Sequence, residues 1–219
     1  MYARQLVALA RTVAPKCITK LSPHTTRIHI SHLLQQLTAH HHHHHHHTTR
    51  TYASSVEFNP LLLQQEAQES MEQGTQELSR GNPQSALSHF NKVLTMRPTP
   101  DAHYNAGVCE YMMGQVDRAL ENWEKAVAMD PTQADAHVNA GNVYFMNKKD
   151  IPKAVAHLKK AVELAPRDSE ILFNLACMYE ASDELDSAIR MYDRAAGLGL
   201  EKANAFLRNA MAKKMTKSI

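Results

Sequence analysis

PDAHYNAGVCEYMMGQVDRALENWEKAVAMDP, residues 100–131, decides the fold. A small residue, Gly107, is followed twelve positions later by Ala119, and twelve after that by Pro131. The same skeleton stands upstream as Gly74, Ala86 and Pro98. It returns downstream as Gly141, Ala154 and Pro166, with one extra residue between the first two, and again as Ala176, Ala188 and Leu200. The four small residues lie 33, 34 and 35 positions apart. A period of this length marks a solenoid, in which each unit is a helix pair that buries its apolar face only against its neighbours. Such arrays offer long surfaces to partners and seldom carry chemistry.

These residues resemble the tetratricopeptide repeat (TPR) family from about Leu61 to the C-terminus. In that family's 34-position register, position 8 is small and position 20 is alanine because the two helices touch there. Position 24 is bulky (Phe90, Trp123, Leu158, Tyr192), position 27 is small or short (Val93, Ala126, Ala161, Ala195), and position 32 is the proline that ends helix B. The resemblance implies an all-α, right-handed TPR superhelix of four helix-turn-helix repeats plus a C-terminal capping helix. The units run 67–99, 100–133, 134–168 and 169–202, with a lead-in at 53–66 and the cap at 203–219.

Departures from the pattern carry their own expectations. Position 11, usually aromatic, is Glu77 and Glu110 in the first two units, which are therefore expected to pack less tightly. The extra residue of unit three is expected between its helices, at Asn147-Lys148-Lys149-Asp150, where Asp150 caps helix B and Pro152 fits its first turn. Asn82-Pro83 reads as the same device in unit one, and Gly197 and Gly199 close the last helix B. Phe206, Leu207, Ala210 and Met211 then recur at helical spacing, with Lys213, Lys214 and Lys217 near the end of the helix, where cations are favoured.

The N-terminus is of another kind. The first 56 residues hold six basic residues and no acid, whereas the remaining 163 hold 18 basic and 22 acidic residues. The overall charge of +2 thus sums two unlike parts and gives no basis for nucleic-acid binding. An acid-free, amphipathic stretch resembles a mitochondrial transit peptide, here residues 1–52. Leu6, Leu9, Ala10 and Val13 share one helical face, and Ile30, Leu33, Leu34 and Leu37 repeat the spacing. Arg50-Thr51-Tyr52-Ala53-Ser54 resembles a matrix-protease site, with the cut between Tyr52 and Ala53. The expected address is the mitochondrial matrix. Eight consecutive histidines, His40–His47, have ligand chemistry but read as a low-complexity run. No stretch reaches the length of a transmembrane helix. Cys17, Cys109 and Cys177 show no paired spacing and read as reduced thiols.

The resemblance places helix A positions 2, 5, 6, 9, 12 and 13 on a concave surface. Position 6 is Asn105, Asn139 and Asn174, a row similar to the asparagine ladder in the TPR arms of O-linked N-acetylglucosamine transferases. Each amide both donates and accepts, so it can pair with a partner's main chain. Beside them stand Tyr104, Val108, Met112, Val138, Asn142 and Phe173, suited to a helix or extended segment. A carboxylate clamp, as in cytosolic co-chaperones, is the sharper alternative. Asn142, Asn174 and Arg208 match it, but Val138 and Asn204 stand where two lysines belong. RNA binding by a helical repeat is a further alternative, opposed by Asp101, Glu110, Asp135, Glu170 and Glu180 on helix A. No phosphate loop, catalytic triad or metal-ligand spacing occurs, so neither an enzyme nor a cofactor is expected. Repeated register accounts for the pairs His103/His137 and His89/His157.

Overall fold

The computed structural model describes residues 59–218. The proposed leader, its cut and the histidine run lie outside the described residues. Nine α-helices and one π-helical turn follow in order, with no strand among the described residues: α1 (Pro60–Ser79), α2 (Pro83–Met96), α3 (Pro100–Met112), α4 (Val116–Met129), α5 (Ala134–Val143), the turn Tyr144–Lys148, α6 (Ile151–Leu164), α7 (Ser169–Ala181), α8 (Leu185–Gly197) and α9 (Glu201–Lys217). Each helix packs chiefly on the ones before and after it in the chain. The core is therefore a ribbon of small clusters shared between neighbouring helix pairs, and not a single centre.

Close approach within each pair explains the small residues. A Cβ on Gly74 would stand 2.7 Å from the Phe90 ring, and one on Gly107 would stand 2.7 Å from Trp123 Nε1 and 3.0 Å from the Ala119 carbonyl oxygen. Both distances are too short, so glycine is what lets α1 meet α2 and α3 meet α4. Ala86, Ala119, Ala154 and Ala188 are wholly buried at the facing positions. Trp123 fills the space and donates its indole N–H to the Tyr104 carbonyl at 3.2 Å.

One turn serves all four pairs. The residue at position 15 adopts a left-handed conformation: Gly81, Gly114 and Asp183, and Lys149 in the longer unit (φ 82°, 78°, 65° and 57°). The next amide returns to the carbonyl of position 11, from Asn82 to Glu77, Gln115 to Glu110, Glu184 to Tyr179 and Asp150 to Tyr144, at 2.8–3.0 Å. This closure satisfies a carbonyl that the helix end leaves open. It also relocates the extra residue of unit three. The insertion is not in the loop; it widens the end of helix A into the π-helical turn Tyr144–Lys148, because acceptor and left-handed residue keep their places.

Two further expectations are corrected. The first two helix pairs are not looser than the others. Their position 11 carboxylates are hydrogen-bonded: Glu110 accepts from Asn122 Nδ2 at 2.7 Å, and Glu77 from Arg80 and Asn82 at 2.7 and 2.9 Å. Asn82, having donated to Glu77, makes no side-chain cap for α2, whereas Asp150 does cap α6 through Lys153 N at 3.1 Å. The cap helix α9 buries Ala203 and Ala210 and sets Phe206 edge-on to Phe173, with ring centroids 5.0 Å apart. Its lysines reach back along the array: Lys202 to Glu170, Lys213 to Glu180, Lys214 to Asp186 and Lys217 to Asp183.

A left-handed lysine costs about 1–2 kcal/mol in backbone energy, part of which glycine returns as greater unfolded-state entropy. Lys149→Gly is expected to raise unfolding free energy by about 0.5–1 kcal/mol in urea titration. No gain would mean that the turn at Lys149 is not left-handed in solution.

Candidate functional site

The concave positions of helix A differ along the array. On α3, Tyr104, Asn105, Val108 and Met112 are all half-buried, with Tyr104 and Val108 packed in part against the core of Ala119, Leu120 and Trp123. On α5, Val138 and Asn139 are each 1% exposed and Asn142 is 8% exposed. On α7, Phe173 and Asn174 are 1% and 4% exposed. The asparagine row is thus open at Asn105 and closed at Asn139 and Asn174.

Two expected groove residues belong to the core. Val138 packs in the cluster of Ala154, Leu158 and Ile171. Phe173 sits against Tyr192 and Phe206, with Lys202 Nζ 4.4 Å from its ring centroid. Both are apolar side chains on helices buried along eight consecutive residues, so packing claims them before a partner can. The clamp residues are divided as well, since Arg208 is exposed on α9 while Asn142 and Asn174 are buried.

Asn139 is unusual. Neither of its carboxamide atoms has a hydrogen-bond partner, and the Asn142 carbonyl oxygen also has none, among the described residues. The Asn139 amide lies near enough to the Tyr104 hydroxyl to favour its ionised form, but the two do not reach hydrogen-bond geometry. Burial, with the Asp135 charge second, outweighs that effect and pushes the Tyr104 pKa up. A buried amide left unpaired costs on the order of 1–3 kcal/mol.

Positions 4 and 23 form a polar seam inside the helix pairs. In unit two, His103 Nδ1 meets Asn122 Oδ1 at 2.8 Å, and Asn122 donates on to Glu110. In unit three, His137 Nδ1 meets His157 Nδ1 at 3.1 Å. The outer nitrogens face acceptors: His137 Nε2 lies 3.3 Å from the Pro131 carbonyl, and His157 Nε2 lies 3.3 Å from Glu124 of the preceding unit. Two neutral imidazoles bring two protons to these three contacts, and burial opposes taking on a third. A doubly protonated pair would bring two N–H groups face to face. The Tyr144 ring stacks on His157 with centroids 5.5 Å apart, and its hydroxyl pKa is pushed up to about 12 by burial first and by nearby Glu124 second. The sequence signal was the recurrence of histidine at the same two positions; what it did not show was that those positions face each other. No group of three or more metal ligands occurs among the described residues.

The helical-pair array defines a repeat protein, and family models identify the repeat. The model described as "TPR repeat" matches residues 109–148, and those described as "Tetratricopeptide repeat" match 71–117, 134–168 and 157–190. The chain carries tetratricopeptide repeats, and its fold is a TPR superhelix. Among curated proteins it is 28% identical over 99 residues to human "Tetratricopeptide repeat protein 6", covering 45% of this chain and 19% of that protein. It is 25% identical over 107 residues to the "Hsp70-Hsp90 organizing protein" of Triticum aestivum, covering 48% and 18%. It is 28% identical over 103 residues to the "Photosystem I assembly protein Ycf3" of a Synechococcus strain, covering 43% and 60%. The chain spans about a fifth of the length of the first of these relatives. Among solved structures, MamA of Desulfovibrio magneticus superposes with a TM-score of 0.62 at 23% identity, covering 68% of this chain and 85% of that one. PilF of Pseudomonas aeruginosa gives 0.60 at 21%, covering 70% and 71%.

The histidine seam predicts an acid limb in stability. Burial lowers the pKa of both His137 and His157 from 6.5, against the pull of Glu124. The unfolded chain then binds protons that the folded chain refuses, so stability is full above pH 6.5 and falls as pH drops below it. His157→Asn, which copies the His103–Asn122 pair of unit two, is expected to flatten this limb in urea titrations between pH 7 and about 5. An unchanged slope would show that the pair does not titrate with folding.

Proposed function

We propose that this protein is a non-enzymatic mitochondrial adaptor, acting as a scaffold or assembly-factor subunit of a larger complex, and that it holds a partner helix or extended peptide on its concave face. TPR proteins bind other proteins, and the half-exposed surface of Tyr104, Asn105, Val108 and Met112 is the observation that carries this reading. Aromatic, amide and methionine groups together suit an amphipathic segment: the thioether adapts to apolar contours, and the amide pairs with the main chain. Relatives whose names describe an organizing protein and an assembly protein support work of this kind. The mitochondrial address rests on the acid-free leader and the Tyr52–Ala53 junction in the sequence.

The co-chaperone alternative draws support from the organizing-protein relatives but lacks the two lysines, and its amides are buried. RNA binding has acids along helix A against it.

The chain, tagged at its C-terminus and purified from its native cells, is expected to begin at Ala53 and to bring down a stoichiometric set of mitochondrial proteins. Combined Tyr104→Ala, Asn105→Ala and Met112→Ala is expected to cut that recovery at least tenfold with helicity kept. An intact Met1 with cytosolic chaperones would overturn the address, and unchanged recovery in the triple variant would move the interface off the concave face.

A further inference from the structure

Helix α9 is fastened to the array mainly by charge. Of its 17 residues, Ala203 and Ala210 are buried and Phe206 and Leu207 are half-buried. Every residue from 211 to 218 is exposed. Ion pairs hold that half: Lys213 to Glu180, Lys214 to Asp186 and Lys217 to Asp183, all around the turn between α7 and α8. At the other end Lys202 pairs with Glu170 at 2.6 Å. Pairs as exposed as these contribute little and weaken as salt screens them. A helix of this length is marginal in water unless tertiary packing supports it. What α9 covers is the apolar end face of unit four. Phe206 stands edge-on to Phe173 at 5.0 Å and tilted against Tyr192 at 5.7 Å, and Ala203 and Ala210 close on the same cluster. The acids around this face keep their places without α9. Glu180 Oε2 accepts from the buried Tyr192 hydroxyl at 2.9 Å and leaves Oε1 turned to Lys213, and Asp183 is the left-handed residue of the turn.

We propose that the end face of unit four, walled by α7 and α8, is a docking surface for a basic amphipathic helix of a partner protein, and that α9 is its built-in occupant, exchanged for the partner's helix. Charge complementarity selects the occupant, and α9 shows its pattern. A small residue, an aromatic and a small residue stand at i, i+3 and i+7 (Ala203, Phe206, Ala210), with one lysine just before them and others at i+10, i+11 and i+14. The aromatic meets Phe173 and Tyr192, and the cations meet Glu170, Glu180, Asp183 and Asp186. An incoming helix of this kind remakes the ion pairs that α9 gives up, so the exchange leaves no charge stranded. Phe173, expected in the groove and found in the core, becomes a partner contact through that exchange. The proposal rests on reading the chain as an adaptor that binds partner helices, but at a different surface from α3.

The test uses the full-length chain, with a fluorescein-labelled peptide of residues 201–218 as the probe. Lys213→Glu, Lys214→Glu and Lys217→Glu together reverse the fastening at exposed positions, so the repeats keep their fold. Trp123, the single tryptophan and wholly buried in unit two, reports on that fold through its emission, which should not move. Amide hydrogen exchange in α9 is expected to rise at least tenfold in this variant and to stay unchanged in α3 and α4. By fluorescence anisotropy, the peptide is expected to bind the triple variant at least tenfold more tightly than it binds the unaltered chain. Binding should weaken at least threefold between about 0.05 and about 0.5 M NaCl. It should weaken again when Asp186→Lys is added to the chain, and it should be lost when the peptide carries Phe206→Ala. Exchange in α9 that does not rise would overturn the proposal, because the ion pairs would then not be what fastens it. A peptide that fails to bind the released chain would also overturn it. So would binding indifferent to Phe206→Ala, which would be attraction of charge alone. Partner recovery that still depends on Tyr104, Asn105 and Met112 while the peptide fails would sink this proposal and leave the α3 surface standing.

Discussion

How closely helix A can approach helix B sets everything else in this array. At Gly74 and Gly107 a methyl group would strike a buried aromatic ring, and at Gly107 it would also crowd a backbone carbonyl. The large residue at position 24 fills the space the glycine leaves, so glycine and aromatic are one device read from two helices. Unit four keeps the contact with Ala176 opposite Ala188, and it tilts its polar load elsewhere, with Tyr192 donating its hydroxyl to Glu180 at 2.9 Å. A close pair makes a rigid block, and blocks stacked through nearest-neighbour contacts make the superhelix.

The residues that touch across this gap were legible in the sequence because they must recur at a fixed period. Positions 8, 20, 24 and 32 mark four units and their order in the sequence itself. What was not legible depends on partners that periodicity does not index. The π-helical turn is such a case: the sequence showed one residue too many, but only the hydrogen bond from Asp150 to Tyr144 shows that the turn keeps its closure and the helix absorbs the surplus. Glu110 is another. A carboxylate at an aromatic position reads as a packing defect until Asn122 is found beside it as a donor, itself held by His103.

The histidine seam follows the same logic at a unit boundary. Glu124 belongs to unit two, while His157, His137 and Tyr144 belong to unit three, so this contact ties two blocks that also share the Lys148–Asp117 ion pair and the His137–Pro131 contact. Lys153 and Lys160 on α6 oppose a further charge there, and Asp150 adds to the burial that keeps the Tyr144 hydroxyl protonated. Polar links of this kind contribute little to raw stability. They do define the angle between blocks, because their geometry tolerates less variation than a methyl–methyl contact.

That angle bears on the candidate site. The expected groove assumed that equivalent positions have equivalent surroundings, as a perfect repeat would give them. Asn105 and Asn139 occupy the same register position, yet one faces out and the other is sealed with its amide unpaired. Sequence register locates a side chain on its helix; it says nothing of what lies across from it. A surface open on α3 and closed on α5 and α7 reads a shorter partner segment than a uniform groove would. The closed half holds the unpaired amides, and binding there would satisfy groups that at present carry the cost of burial. First contact therefore falls on α3, where Tyr104, Asn105, Val108 and Met112 are half-exposed.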